Sequence, residues 1–280
     1  MKVAVLGSGT MGSGIVSTFA QQNSIDQILW WGRTPSQLSL KLPKITKDIY
    51  KTLKRQNLAP EKAESMAAKI TVIEKFDQLN DTDFVIEAIV ENFEKKQALF
   101  TAISEHLPSS AILATNTSSL SITALSIYTH TPSNFIGMHF FNPIGMMELV
   151  EVIKGLQTSD GTLNFVRNFA ASLNKSPVLV EESPGFIVNR MLIPMINEAV
   201  SVLAEGVASK EDIDKAMKLG ANHPLGPLAL ADLIGNNVCL SIMETLHAET
   251  GDPKYRAHLK KSMVTALPLQ QNVSRKLVRS

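Results

Sequence analysis

The sequence predicts an α/β fold in which a doubly wound parallel sheet carries an inserted helical hairpin and is followed by a smaller all-helical domain. Short apolar runs alternate with helix-period patterns, such as residues 10–22 and 93–106, which is typical of a parallel sheet covered on both faces. A glycine-rich motif directly follows the first apolar run, and the strand pattern stops at Ser183. These three observations define the fold class.

The apolar runs predict strands at residues 2–7, 27–31, 70–76, 83–89, 111–117, 134–140, 147–154 and 177–182. The segment 35–69 is too long for a simple crossover and predicts a helical hairpin, with helices at about 36–54 and 60–69. We therefore expect a sheet domain over residues 1–182 with the hairpin inserted in it.

Residues 183–280 are predicted to form the helical domain. Apolar residues recur at helix spacing from Val188 to Leu203. Ser183 followed by Pro184 predicts the start of that helix and Gly206 its end, while Ser209 and Asp212 have capping-box spacing for the next helix.

Composition excludes several classes of protein. With 44% hydrophobic and 19% charged residues, the chain is typical of globular proteins. The single cysteine, Cys239, allows neither a disulfide framework nor a cysteine-rich metal site, so no metal is predicted. Net charge is +1 without a broad basic face, so neither nucleic acid nor a membrane is an expected partner. The first apolar run is too short for a signal peptide, which predicts a cytoplasmic location.

The motif Gly7-Ser8-Gly9-Thr10-Met11-Gly12 matches G-x-G-x-x-G between a predicted strand and a predicted helix. In this context Gly7 permits a tight turn, Gly9 lets the backbone approach a pyrophosphate, and Gly12 allows close packing of helix on strand. Thr10 and Met11 open the helix whose N-terminal amides face the anion. The motif predicts a Rossmann-type dinucleotide site.

The second predicted strand ends in Gly32, Arg33 and Thr34, without the acid that would bind the adenosine ribose hydroxyls of NAD. A small residue beside an arginine suits a ribose 2′-phosphate, because repulsion is absent and a bidentate cation is present. The residues therefore predict NADP as the cofactor, with NAD as the alternative if this segment is only a turn.

The segment MHFFNPIGMMELVEVI places His139 near a strand end at the edge of the sheet and Glu151 within the next strand. Such a pair can act as a general acid/base dyad, because the carboxylate orients the imidazole and stabilises its charged form. A structural histidine is the alternative interpretation of the same pattern.

HFFNP, with a glutamate eight residues after the proline, resembles the 3-hydroxyacyl-CoA dehydrogenase family, especially its bacterial 3-hydroxybutyryl-CoA members. Further matching segments are GSGTMGSGI, IEAIVE, ATNTSSLSIT, LVEVI, SPGFIVNRMLIPMINEA and EDIDKAMKLGANHPLGPL. The resemblance implies interconversion of an L-3-hydroxyacyl-CoA and its 3-oxoacyl-CoA, a homodimer, and His139 as the catalytic acid/base with Glu151 as its partner.

The resemblance also implies roles for residues of less distinctive type. Ser118 and Asn189 would contact the reacting end of the substrate, Asn142 the substrate, and Glu91 and Lys96 the cofactor. Asn116 joins the predicted cofactor contacts. The hairpin would hold coenzyme A, for which the basic helix face of Lys51, Lys54 and Arg55 offers phosphate partners.

Two segments depart from the family pattern. Most relatives carry an acid at the position of Gly32, and they typically end in a glycine-rich segment that is replaced here by SMVTALPLQQNVSRKLVRS. Two alternative functions remain open: a dehydrogenase of free 3-hydroxy acids, which would need no CoA-binding hairpin, and a non-enzymatic nucleotide-binding or lens-type structural protein, which would need no His–Glu pair.

Overall fold

The computed structural model describes residues 1–258, so the atypical C-terminal segment lies outside the described residues. Contacts divide the chain into two compact units, Met1–Phe186 and a second that begins at Ile187. The first unit contains the sheet, and the second is helical.

Within the described residues, eight strands form one sheet in the order β3-β2-β1-β4-β5-β6-β7-β8. Their bounds are β1 Lys2–Leu6, β2 Gln27–Trp31, β3 Ile70–Ile73, β4 Phe84–Glu87, β5 Ile112–Thr115, β6 Phe135–Phe140, β7 Leu149–Lys154 and β8 Ser176–Glu181. All eight predicted strands are present, and most of them are shorter than predicted. The prediction for residues 70–76 was too long because β3 pairs with β2 only as far as Trp31↔Ile73, where β2 itself ends.

The sheet is not parallel throughout. β6 and β7 run antiparallel, since the connection at residues 141–148 is too short for a crossover. β8 then pairs with β7 in parallel. The predicted placement of His139 and Glu151 at the edge of the sheet was therefore wrong, because β8 makes β6 and β7 interior strands.

Helices cover both faces of the sheet. Alternate residues of β1 enter two different cores: Val3 and Val5 pack with residues of α1, α3 and α7, and Ala4 and Leu6 pack with residues of α5 and α6. The helices of this unit are α1 Thr10–Ala20, α2 Pro35–Ser39, α3 Leu42–Arg55, α4 Ala63–Ala67, α5 Phe93–Ser104, α6 Ile122–Ser126 and α7 Asp160–Ser172. This arrangement confirms the doubly wound prediction.

The inserted hairpin is present, but its first helix is divided into α2 and α3. Pro43 lies in the first turn of α3, the one part of a helix that tolerates proline, so a new helix begins there instead of continuing from Ser39. The second predicted helix opens with a 3₁₀ turn at Pro60–Lys62 and continues as α4.

The second unit contains α8 Val188–Ala204, α9 Lys210–Gly220, α10 Pro227–Ile234 and α11 Asn236–Thr250, packed around their own core. The predicted start of the first of these at Ser183 was wrong: Gly185 and Phe186 have φ of +72° and +53°, so the helix begins only at Val188. Ser209 caps α9 as predicted, accepting a hydrogen bond from the Asp212 amide at 3.1 Å.

No helix within residues 1–258 combines the length and the apolar composition that a bilayer span requires. The same residues contain no cluster of three or more His, Cys, Asp or Glu side chains able to hold a metal ion. Cys239 is buried, and burial raises the pKa of its thiol to about 11, so the nucleophilic thiolate is scarce at neutral pH.

Candidate active site

The loop after β1 has the shape that a dinucleotide requires. A Cβ at Gly7, whose φ is +144°, would lie 2.2 Å from the Ala88 carbonyl oxygen, and a Cβ at Gly12 would lie 2.1 Å from the Gly7 carbonyl oxygen. A Cβ at Gly9 would meet no atom within 4 Å. The outer glycines therefore let the loop pack tightly, and the middle one faces open space where a pyrophosphate can approach.

The N-terminus of α1 completes this part of the site. The helix begins at Thr10 and Met11, its N-cap Gly9 has no side chain to occupy the first amides, and its first turn carries no acid. The loop also lies between β1 and β4, where the strand order reverses. An anion at a helix N-terminus and a ligand at such a switch point are both favourable, so these residues fit a nicotinamide dinucleotide.

At the end of β2 there is no carboxylate. Gly32 is buried, and a Cβ on it would lie 3.0 Å from the Cβ of Ser8. Arg33 and Thr34 follow as exposed residues. The sequence has no Asp or Glu between Asp26 and Asp48. This end of the nucleotide site is therefore cationic.

A buried ion pair lies at the carboxyl end of β4. The Lys96 ammonium is fully buried, 2.6 Å from Glu87 Oε1 and 3.5 Å from Glu91 Oε2. Glu87 also accepts from the Ile89 amide and from the Thr115 hydroxyl, each at 2.6 Å. A buried charge of this kind is stable only when its partners are in place, so the network holds the chain after β4 in a defined position.

Glu91 connects that network to the loop after β5. Its Oε1 accepts from the Ser118 amide at 2.7 Å, from the Ser118 hydroxyl at 3.1 Å and from the Thr117 hydroxyl at 2.6 Å. Burial raises the pKa of Glu91, but the Lys96 ammonium and these hydrogen bonds outweigh it and hold the pKa below its usual value. Glu91 therefore stays ionised and positions Ser118 at the carboxyl edge of the sheet.

His139 and Glu151 face each other across β6 and β7. The two residues are directly paired in the antiparallel ladder, and His139 Nδ1 lies 2.8 Å from Glu151 Oε2. Both are buried, with 6% and 1% of their surfaces exposed. When the carboxylate accepts from Nδ1–H, Nε2 is the nitrogen that can take a proton from a ligand. The predicted pair is therefore brought together with acid/base geometry.

Neighbouring residues orient this pair. Asn116 Oδ1 accepts from the Phe140 amide at 2.9 Å, which ties the end of β5 to the strand that carries His139. The rings of Phe141 and Phe186 lie 4.5 Å and 5.7 Å from the imidazole, centroid to centroid. The apolar contacts reduce the access of water to the imidazole. Asn142 is exposed just after this strand and precedes a cis bond to Pro143.

The predicted basic cluster lies at the end of α3, where Lys51, Lys54 and Arg55 are all exposed. Lys51 makes only a loose pair with Asp48 at 3.9 Å, whereas Arg55 donates to the Gly145 carbonyl at 2.9 Å. Arg55 also lines a cavity of about 700 Å³, which the two lysines do not line. The surroundings of Arg55 therefore differ from those of Lys51 and Lys54.

Asn189 is the second residue of α8 and belongs to the second unit. It is half-buried. Its predicted contact with the reacting end of the substrate, like the predicted contacts of Lys96 and Asn116 with the cofactor, stays a prediction.

Two family models match the chain almost end to end. The model described as 3-hydroxyacyl-CoA dehydrogenase, NAD binding domain, matches residues 2–183, and the model described as 3-hydroxyacyl-CoA dehydrogenase, C-terminal domain, matches residues 185–280. The chain belongs to the 3-hydroxyacyl-CoA dehydrogenase family. The predicted resemblance is confirmed.

Individual relatives agree with this assignment. A 3-hydroxybutyryl-CoA dehydrogenase of Clostridioides difficile is 50% identical over 258 residues, which are 92% of this chain and 91% of the relative. The human mitochondrial hydroxyacyl-coenzyme A dehydrogenase is 38% identical, over 88% of this chain and 79% of the relative. The crystal structure of (S)-3-hydroxybutyryl-CoA dehydrogenase PaaH1 from Ralstonia eutropha superposes with a TM-score of 0.88 at 43% identity, covering 95% of this chain and 93% of that one.

Sequence reasoning missed two residues that contact the candidate site, Glu87 and Lys41. Glu87 was assigned only to a strand, although it is the principal partner of Lys96. Lys41, whose ammonium donates to the Ser8 carbonyl, was not assigned to the nucleotide site at all. The signal for Lys41 was the stretch without acids around it, which contains four cations.

Proposed function

We propose that the chain is an oxidoreductase that interconverts an L-3-hydroxyacyl-CoA, with 3-hydroxybutyryl-CoA as the preferred substrate, and the corresponding 3-oxoacyl-CoA. The observation that carries this proposal is the buried pair of His139 and Glu151, 2.8 Å apart on adjacent strands at the carboxyl end of β6. The pair also argues against a purely structural nucleotide-binding protein, since such a protein needs no acid/base dyad.

A nicotinamide bound on the Gly7–Gly12 loop would supply the hydride acceptor or donor. The proton is transferred by side chains of the protein itself. In the oxidative direction His139 Nε2 accepts the proton of the C3 hydroxyl while the hydride leaves C3, and Glu151 stabilises the imidazolium that forms. Ser118, positioned by Glu91, and Asn142 are proposed to hold the acyl group near His139.

The activity can be tested by following the oxidation of NADH and of NADPH with acetoacetyl-CoA, with free acetoacetate and with a long-chain 3-oxoacyl-CoA. Acetoacetyl-CoA is expected to be the best of the three acceptors. Faster turnover of free acetoacetate would favour the alternative, a dehydrogenase of free 3-hydroxy acids. The absence of turnover with every acceptor and both cofactors would contradict the enzymatic proposal.

The coenzyme A part of the substrate is proposed to bind beside the inserted hairpin. Lys51, Lys54 and Arg55 present three exposed cations on one face of α3, because Lys54 and Arg55 follow Lys51 by three and four residues. Coenzyme A carries phosphates, which such cations bind by charge-assisted contacts. A free acid would have no use for this face.

Replacing Lys51 and Lys54 by glutamine is expected to raise KM for acetoacetyl-CoA more than KM for a truncated pantetheine thioester, which has no nucleotide phosphates. Arg55→Gln is measured separately, since Arg55 also holds the Gly145 carbonyl. High salt should weaken the binding of acetoacetyl-CoA in the same way, because exposed charges are screened.

A matched control replaces Lys215 and Lys218, two exposed lysines on α9, by glutamine. The control has the same change of charge in the other unit and should leave both KM values unchanged. An equal rise for the full-length and the truncated thioester in the Lys51, Lys54 variant would reduce the cluster to a solvated surface.

The proposed cofactor is NADP(H). The support is local: the end of β2 lacks a carboxylate, and Arg33 and Thr34 are exposed beside the loop. NAD(H) remains the alternative, and a family model named for NAD binding covers this part of the chain.

We also propose a homodimer formed through the helical unit. Large apolar residues of that unit are exposed, with Leu219 at 76%, Met191 at 71% and Val207 at 68%. These side chains are available to be buried in an interface between two copies of the chain. Sedimentation velocity at micromolar concentration is expected to show a dimer, and a monomer alone would contradict the proposal.

A cytoplasmic location is consistent with the buried, reduced Cys239.

A further inference from the structure

Lys41 lies in the break between α2 and α3, where it is the N-cap residue of α3. Its side chain is half-buried, and its ammonium donates to the carbonyl oxygen of Ser8. Ser8 stands between Gly7 and Gly9 in the dinucleotide loop. A lysine from the inserted hairpin thus contacts the backbone of the nucleotide site.

No acidic side chain within residues 1–258 forms an ion pair with Lys41. Among the residues that the structure describes, neither Lys41 nor Arg33 takes part in an ion pair, and no acid occurs between Asp26 and Asp48. An ammonium has three donors, and the Ser8 carbonyl engages one of them. A partly desolvated cation in this state is well suited to an anionic ligand.

Lys41 lies near the place where the adenosine ribose of a bound dinucleotide is expected. When the pyrophosphate lies on the N-terminus of α1, the adenosine ribose lies at the end of the second strand. That end is Gly32, and a Cβ on Gly32 would lie 3.0 Å from Ser8 Cβ and 3.3 Å from Ser8 Oγ. The end of β2 and the Lys41 ammonium therefore meet at the same residue, Ser8.

We propose that Lys41 binds the 2′-phosphate of the adenosine ribose, as a second cation beside Arg33. This inference rests on the proposed use of NADP(H). The position of Lys41 follows from the division of the hairpin helix, because Pro43 starts α3 anew and leaves Lys41 at its cap, with its amide bonded to the Leu38 carbonyl at 2.9 Å. The competing interpretation is a structural one, in which Lys41 only ties the hairpin to the loop.

The two interpretations differ in which nucleotide fragments lose affinity. Titration calorimetry on the full-length, cofactor-free protein measures binding of 2′,5′-ADP, which carries the 2′-phosphate of the ribose, and of 5′-AMP, which has only the 5′-phosphate. Lys41→Gln is expected to weaken 2′,5′-ADP by about tenfold or more and to leave 5′-AMP within about twofold, since one charge-assisted contact is lost. Lys41→Arg should retain most of the affinity for 2′,5′-ADP.

Lys44→Gln is the matched control, because Lys44 is an exposed lysine in the first turn of the same helix. It should bind both fragments like the wild type. Lys41→Met keeps the aliphatic stem and provides a second neutral variant, which must give the same ratio of affinities as Lys41→Gln. Thermal melts establish that each variant is folded.

Three results would overturn the inference. If Lys41→Gln loses equal affinity for 2′,5′-ADP and for 5′-AMP, Lys41 only positions the loop. If its affinity for 2′,5′-ADP is unchanged, Lys41 does not bind the 2′-phosphate. If the wild type itself binds 2′,5′-ADP no better than 5′-AMP, the proposed cofactor preference fails first and the role of Lys41 with it. This last result is recognisable without any variant.

Discussion

Replacing His139 by glutamine is expected to lower kcat for acetoacetyl-CoA reduction by at least about a hundredfold, the usual scale of general acid–base catalysis. Glutamine cannot exchange a proton in the neutral pH range, although it fills a similar space between Phe141 and Phe186. The dissociation constant of the cofactor, measured by the fluorescence of the reduced nicotinamide, should barely change, because His139 lies on β6 and the dinucleotide loop follows β1.

The stability of this variant needs a control of its own. His139→Gln takes the imidazole away from the buried carboxylate of Glu151, which can destabilise the sheet independently of catalysis. The double variant with Glu151→Gln replaces the pair by two neutral amides, so it should be more stable than the single variant and equally inactive. Near-native kcat in either variant would remove His139 from the proposed mechanism.

The wild type is expected to use NADPH with a higher kcat/KM than NADH. A ribose 2′-phosphate gains a charge-assisted contact with Arg33 and a hydroxyl donor in Thr34, and each factor of ten in this preference corresponds to about 1.4 kcal/mol. NADH gains nothing at this position, since the carboxylate that would accept from its ribose hydroxyls is absent. Arg33→Ala should therefore reduce the preference for NADPH by about tenfold or more.

Gly32→Asp should shift the preference toward NADH, because the new carboxylate repels the 2′-phosphate and accepts from the ribose hydroxyls. The side chain introduced by Gly32→Asp would be crowded by its neighbours. A Cβ at Gly32 would lie 3.0 Å from Ser8 Cβ and 3.2 Å from Leu38 Cδ1, so the neighbours must move by a few tenths of an ångström.

Two further variants separate charge from crowding. Gly32→Ala adds the Cβ without the carboxylate and should leave the ratio of the two cofactors unchanged. Combining Gly32→Asp with Ser8→Gly removes the nearest side chain and should show the shift in full. A wild type that favours NADH, and whose preference Arg33→Ala does not alter, would contradict the proposed use of NADP(H).

The class of fold was accessible from the sequence because each strand is a bounded apolar run. Residues 27–31 illustrate this: a buried parallel strand needs apolar side chains on both faces, and QILWW is a short, bounded run of that kind. The dinucleotide loop was equally accessible, since Gly7 and Gly12 occupy places where a Cβ would collide with backbone. The pair of His139 and Glu151 was found from residue type and spacing within a short strand–turn–strand segment.

Other features depend on contacts between segments that are distant in sequence. The end of β3 is decided by where β2 stops, the interior position of β6 and β7 by the pairing of β8, and the start of α8 by the positive φ of Gly185 and Phe186. None of these has a local signal strong enough to outweigh the apolar or helical pattern around it.

By itself, the sequence determined the alternation of strands and helices, the glycine loop, the pairing of His139 with Glu151 and the absence of an acid at the end of β2, because each is encoded by residue patterns within short segments. Only the tertiary structure paired Glu87 with Lys96 next to Glu91, and brought Lys41 of the hairpin to the Ser8 carbonyl. The physical reason is that a charged side chain has no intrinsic position: its partner is selected by the packing of strands and helices, which the periodicity of one segment cannot specify.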